Sequence, residues 1–199
     1  MFDFNPSIKV LILGSVLTAL LEDEESSKNF LTAGGLERLL EMLQLSNPAL
    51  QLRVLDVLSN YLGNEEVQPH LAAVNIKSKY LSMLNAPSPA LKATGVKAMT
   101  KFAQKNVIKE ESEIARVLKA LIDTVTISTD SEMIVNALKA LTIFSQQIAN
   151  AIVFRNIGGL SMTFRALNNG NLDIVKSAME LFANLLKDGT YPEILLEPC

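Results

Sequence analysis

The segment "NFLTAGGLERLLEMLQLSNPALQLRVLDVLSNYL", residues 29–62, carries the pattern that decides the fold. Its glycine pair, Gly34-Gly35, predicts the end of a short helix over 25–33, because glycine accepts a positive φ without a Cβ clash. Leucine then recurs at three- and four-residue spacing over 36–43, which is typical of a second helix. Asn47-Pro48 predicts the cap and first turn of a third helix. The segment is therefore predicted to form three successive helices.

The same pattern recurs along the chain at constant offsets. The tetrapeptide at 47–50, Asn-Pro-Ala-Leu, is matched 41 residues later by Ser-Pro-Ala-Leu at 88–91. The glycine pair is matched 124 residues later by Gly158-Gly159, about three such periods. A period near 41 falls within the range of about 40–47 residues for armadillo and HEAT units. The predicted repeats are a partial one at 1–24, then 25–63, 64–105, 106–148 and 149–187, with a tail at 188–199.

Composition agrees with a mostly helical chain that has its own core. Of 199 residues, 49% are hydrophobic and 20% are charged, which argues against wholesale disorder. No sustained alternation of apolar and polar residues predicts strands. The net charge of −3 offers no basic excess, so no nucleic-acid partner is predicted.

Targeting signals are weak. The longest apolar run, 10–21, is shorter than the roughly 20 residues needed to span a bilayer, and no basic segment precedes it, so we predict no membrane association and no signal peptide. The single cysteine, Cys199, cannot form an internal disulfide. The predicted location is therefore the cytoplasm, with the nucleus left open.

The quoted segment and a second one, "AIVFRNIGGLSMTFRALNNGNLDIVKSAMELFANLL" at 151–186, resemble the armadillo repeat. Both show a lead helix, a Gly-Gly turn, an apolar second helix and a third helix with an asparagine near its end. The resemblance implies an all-α, right-handed α-α superhelix of about four repeats with three helices each, as one domain over 1–199. HEAT repeats remain the alternative, because they share the period but have two helices and usually no Gly-Gly turn. The third copy fits least well, since its lead segment at 106–112 is polar and lacks glycine.

Chemistry-bearing motifs are sparse. His70 is the only histidine and has no Cys/His cluster around it, so no metal site is predicted. Neither glycine pair is followed by Lys-Ser/Thr, so a phosphate loop is not predicted. No Gly-x-Ser-x-Gly elbow appears, and the acidic run at 22–25 suits a helix start. We therefore predict no catalytic residues, no cofactor and no enzyme activity.

The resemblance places the partner site on the third helices, which line the concave groove of armadillo proteins. Armadillo transport receptors bind basic peptides with a ladder of asparagines beside tryptophans. This chain has no tryptophan and places Lys101 and Ile143 between Asn60 and Asn184, so that mode is not expected. The predicted groove residues are Arg53, Asp56, Asn60, Lys97, Lys101, Asn136, Lys139, Glu180 and Asn184.

Three of these residues, Lys97, Lys101 and Lys139, would form a basic stripe in the middle of the groove. One interpretation is ordinary solvated surface charge, since exposed lysines are common. The other is a clamp for an acidic or phosphorylated segment of a partner.

The predicted function is a non-enzymatic scaffold or adaptor that binds a protein partner along the groove. One alternative is a co-chaperone that regulates nucleotide exchange on a cytosolic heat-shock chaperone, because the region 154–186 is similar to such armadillo proteins. Another is a fragment of a larger armadillo protein whose other domains carry the activity. An uncovered end helix at 8–21 is also a candidate surface for self-association.

Overall fold

The structure, a computed structural model, describes residues 24–42, 48–59, 61 and 75–187. The chain divides into two compact units, Met1–Lys79 and Tyr80–Cys199. Throughout the described residues the regular elements are all helices, which confirms the predicted all-α class. Within the same residues, no helix is both long enough and apolar enough to cross a membrane. The apolar run at 10–21 lies outside the described residues, and the single repeat domain over 1–199 stays a prediction.

The first unit contains the three helices predicted from the quoted segment. They are α1 (Glu24–Thr32), α2 (Gly35–Met42) and α3 (Pro48–Ser59), and α2 packs against both of its neighbours. Gly34 has a φ of 77°, so the glycine turn between α1 and α2 is left-handed as predicted. Helix α3 begins at Pro48 as predicted, while its predicted cap, Asn47, lies outside the described residues.

The second unit is built around α7, which packs against α5 on one side, against α10 on another and also against α6. Its fully buried side chains include Met99, Leu118, Leu138 and Leu181. Each such side chain contributes on the order of 1.5–3 kcal/mol of transfer free energy. A short helix, α4 (Ile76–Met83), spans the boundary of the two units. The helices that follow it are α5 (Pro89–Gln104), α6 (Glu111–Ile127), α7 (Ser131–Phe144), α8 (Ile148–Asn156), α9 (Gly159–Leu167) and α10 (Leu172–Leu186).

The third predicted repeat, 106–148, departs from the three-helix layout. It contains two helices, because α6 runs unbroken for 17 residues where a short helix and a second helix were expected. No glycine lies within α6 to supply a left-handed residue, and its apolar residues keep helical spacing through Ile114, Val117 and Leu121. The prediction of three helices per repeat is therefore wrong here, whereas the fourth repeat has all three in α8, α9 and α10.

Side-chain caps mark the start of two helices in the described part of the second unit. Asp130 caps α7 and Asn171 caps α10, each accepting hydrogen bonds from two backbone N–H groups of the first turn. Helix α5 begins at Pro89 as predicted, but the hydroxyl of Ser88 makes no cap hydrogen bond. The proline alone, with its preset φ, marks that start.

Candidate protein-binding face

The third helices of the second unit stack in the order α5, α7, α10. Each buries one side in the stack and leaves polar side chains, one or two helical turns apart, at the surface. Among the predicted groove residues of this unit, Lys97 approaches α7, Lys139 and Glu180 line one cleft between α7 and α10, and Asn184 hydrogen-bonds to the end of α7. We name them the third-helix face: Lys97, Lys101, Asn136, Lys139, Glu180 and Asn184.

The predicted basic stripe is interrupted by a carboxylate. Lys97 Nζ lies 3.9 Å from Glu132 Oε1 of α7, and the two side chains are 48% and 77% exposed. An ion pair this exposed contributes on the order of 0–1 kcal/mol, but it lowers the net positive charge at Lys97. Lys101, one turn further along α5, is exposed and makes no ion pair with any residue in the described part of the chain. Of the two lysines that α5 contributes to the third-helix face, Lys101 is thus the one without an ion pair among the described residues.

A cleft of about 390 Å³ lies between α7 and α10. Its charged residues are of both signs, since Lys139 and Lys176 line it together with three carboxylates. Helix α5, by contrast, contains lysines and no carboxylate. The face therefore changes from basic at α5 to mixed charge at α10. The cleft is lined by Ser131, Glu132, Val135, Lys139, Asp173, Lys176, Ser177 and Glu180.

Asn184 makes contacts within the protein rather than presenting a free amide donor. Its Nδ2 donates to the carbonyl oxygen of Thr142 at 3.3 Å and to Oγ of Ser145 at 3.0 Å. These bonds tie α10 to the carboxyl end of α7. The side-chain oxygen of Asn184 can still accept a hydrogen bond, so a partner would meet an acceptor at this position.

The remaining predicted residues lie in the first unit. Arg53 and Asp56 are one turn apart on α3, with 4.0 Å between Arg53 Nη1 and Asp56 Oδ2. Asn60 lies outside the described residues. The binding role predicted for all nine groove residues stays a prediction.

Sequence reasoning missed several charged residues that line the cleft. Glu132 and Lys176 each lie one helical turn before a predicted groove residue, Asn136 and Glu180 respectively. Extending the predicted series by one further turn would have found both. The hydrogen bonds of Asn184 had no signal in the sequence, because they depend on how two helices 40 residues apart are placed.

Residues 24–42, 48–59, 61 and 75–187 contain no group of three or more His, Cys, Asp or Glu side chains that could hold a metal ion. His70 and Cys199 lie outside the described residues.

Comparisons with known proteins identify the fold. No family model and no curated protein matches the chain. A designed armadillo repeat protein in complex with the peptide (KR)4 is 17% identical, with a TM-score of 0.69 over 92% of this chain and 77% of that one. Computationally designed armadillo repeat proteins for modular peptide recognition are 16% identical, with a TM-score of 0.65 over 92% and 78%. An engineered protein is 18% identical, with a TM-score of 0.67 over 94% and 77%. The chain therefore has the predicted fold, an α-solenoid of armadillo-type repeats.

Proposed function

We propose that this chain is a non-enzymatic protein-binding scaffold, and that an extended segment of a partner binds along the third-helix face. The observation that carries the proposal is the alignment of exposed polar side chains on three consecutive, directly stacked helices. Stacked repeats create extended surfaces of this kind, on which each repeat contributes one or two contact residues. Since the backbone groups within a helix are already paired, side chains would make the contacts with the partner.

The charges of the face favour an acidic side chain of the partner near α5. Lys101 makes no ion pair within the described residues, so an acidic or phosphorylated group there would gain a charge-assisted hydrogen bond. Lys97 is a weaker candidate because Glu132 competes for it. At the mixed cleft between α7 and α10, polar side chains of either sign would find an opposite charge.

The structural neighbours support a peptide-binding role only as an analogy of fold. One was solved with the basic peptide (KR)4, and others were designed for modular peptide recognition. A basic peptide would meet the lysines of α5, so we expect this chain to select a different segment from the one in that complex.

The test is an affinity capture from cell lysate with three forms of the chain and identification of the bound proteins. Lys101→Glu reverses one charge of the face, and Lys119→Glu is the control for a charge reversal elsewhere, because Lys119 is 59% exposed on α6, where it pairs with Asp123. We expect a partner that binds the wild type and Lys119→Glu but is lost from Lys101→Glu. A partner retained equally by all three forms would contradict the third-helix face as its site.

The same experiment distinguishes the scaffold function from the co-chaperone alternative. Capture of a heat-shock chaperone, followed by faster nucleotide release from it when the chain is added, would support that function instead. A captured chaperone whose nucleotide release does not change would be an ordinary partner of the scaffold.

A further inference from the structure

The outer surface of α10 carries a continuous apolar stripe. Its residues follow each other at steps of three and four: Leu172, Val175, Met179, Phe182 and Leu186. Leu172 is 83% exposed, Met179 57% and Leu186 40%, while Val175 and Phe182 are half-buried. We name this set the α10 stripe. Such spacing is the pattern by which one helix packs along another.

The corresponding positions of α7 are buried. At the 41-residue offset, Val175, Met179 and Phe182 correspond to Ile134, Leu138 and Leu141, which are 6%, 0% and 0% exposed. Ile134 lines a small cavity together with Met162 of α9 and Ile174 of α10, so the next repeat covers this side of α7. On α10 the same side has no covering helix among the described residues.

Helix α9 widens the apolar surface. Phe164, which is 40% exposed, contacts Phe182 with 5.4 Å between the ring centroids. Contiguous exposed apolar surface of this kind marks an interaction site more often than scattered apolar residues do.

We propose that the α10 stripe binds the α10 stripe of a second copy of this chain in an antiparallel, two-fold symmetric pair centred on Met179. In this register Leu172 lies opposite Leu186 of the second copy, because the two residues are seven positions on either side of Met179. Val175 likewise lies opposite the Phe182–Ala183 pair. A two-fold interface needs a self-complementary surface, and the stripe has apolar residues at both ends and at its centre.

Charges beside the stripe fit the same register. Asp173, Lys176, Glu180 and Lys187 lie along one flank of α10, and in an antiparallel pair that flank faces its own copy. In this register Lys176 lies two residues from the position opposite Glu180 of the second copy. Asp173 likewise lies two residues from the position opposite Lys187 of the second copy. Each opposite-charge pair occurs twice by symmetry, whereas the two Glu180 side chains, one residue from the axis, form a like-charge pair at the same separation. The attractive pairs outnumber this repulsive one, which favours the antiparallel orientation.

The contact is small, so we expect a transient dimer. Helix α10 is about 22 Å long, and a single pair of such helices buries less than the roughly 800 Å² per partner of a stable interface. A dissociation constant on the order of 10–100 μM is therefore expected.

The first test is analytical ultracentrifugation of the full chain at concentrations that bracket this constant. Met179→Asp places two like charges at the two-fold axis and is expected to weaken dimerisation by about tenfold or more. Ile127→Asp is the control, because Ile127 is 74% exposed on α6 and lies outside the stripe. A wild type that is monomeric at every concentration, or equal weakening by both variants, would overturn the proposal.

The second test is disulfide trapping, which checks the register. With Cys199→Ser removing the native thiol, Met179→Cys is expected to form a disulfide between copies. Leu172→Cys is not, because its two copies lie at opposite ends of the pair and disulfides need Cα atoms within about 7 Å. Equal trapping of both would overturn the antiparallel register. In the chain that keeps Cys199, a bond within one copy between Met179→Cys and Cys199 would assign the surface to residues 188–199 and overturn the second copy as occupant.

Discussion

The third and fourth repeats have the same period but different helices. Residues 106–148 form a long helix and a third helix, α6 and α7, whereas 149–187 form three helices, α8, α9 and α10. Between α8 and α9, Gly158 has a φ of 90°, a left-handed conformation that ends α8. Helix α6 has no glycine and continues. A left-handed glycine is thus present in the repeat that has three helices and absent from the long helix of the repeat that has two.

The second glycine of the pair has a different role from the first. A Cβ atom built on Gly159 would overlap the ring of Phe154, which is fully buried, while one built on Gly158 would meet open space. Gly158 is thus required for its backbone conformation and Gly159 for the close approach of an aromatic ring. The same ring-on-glycine contact joins Phe30 to Gly35 in the first unit.

The largest expected effect comes from removing the ring that holds the turn of the fourth repeat. Phe154→Ala leaves a cavity beside Gly159 and is expected to lower the free energy of unfolding by about 3–5 kcal/mol. Urea unfolding followed by far-UV circular dichroism measures this, since the chain has no tryptophan for fluorescence. Phe164→Ala, at a 40% exposed ring, is the control and is expected to cost less than half as much. Similar costs for the two variants would contradict the role given to Phe154.

Gly159→Ala tests the contact between Gly159 and the Phe154 ring by adding a methyl group to the glycine. The added methyl group has no room against the buried ring, so we expect a loss of about 1–3 kcal/mol in unfolding free energy. Gly35→Ala is expected to cost less, because the Phe30 ring is partly exposed and can move away. If the ring is the cause, the double variant Phe154→Leu/Gly159→Ala will cost less than the sum of its single changes. If the two single costs in unfolding free energy simply added, the loss in Gly159→Ala would not come from the contact with the Phe154 ring.

The sequence predicted the turns well because their causes are local. Gly34, Gly158 and Pro89 act through the conformations that their own backbones can adopt, and a reader of the sequence can recognise them one at a time. The ring-on-glycine contact was also within reach, since Phe30 and Phe154 stand 124 residues apart, the offset of the two glycine pairs. The merged helix of the third repeat was missed because the period implied a break that no residue there enforces.

The candidate site was less predictable because its properties depend on neighbouring helices. Stepping along each third helix placed the lysines of α5 at the surface, where they lie. The pairing of Lys97 with Glu132 and the hydrogen bonds from Asn184 to the end of α7 arise from the spacing of stacked helices. A helical pattern predicts which side of one helix is exposed, but not which charge the next helix brings beside it.

The smallest expected effects come from variants that remove the left-handed glycine from the fourth repeat or add a glycine to the long helix of the third. Gly158→Ala forces a Cβ into the left-handed region and is expected to cost about 1–2 kcal/mol of unfolding free energy. Gly158→Asn should cost less, because asparagine tolerates that conformation better. Ala115→Gly makes the reverse change in α6 and is expected to cost about 0.5–1 kcal/mol, since glycine in a helix interior loses more chain entropy on folding. Urea unfolding of all three variants measures these costs.

If Gly158→Ala were neutral while Ala115→Gly were costly, the break between α8 and α9 would depend on the ring of Phe154 rather than on the left-handed glycine. The difference between the two repeats would then be one of packing and not of backbone conformation.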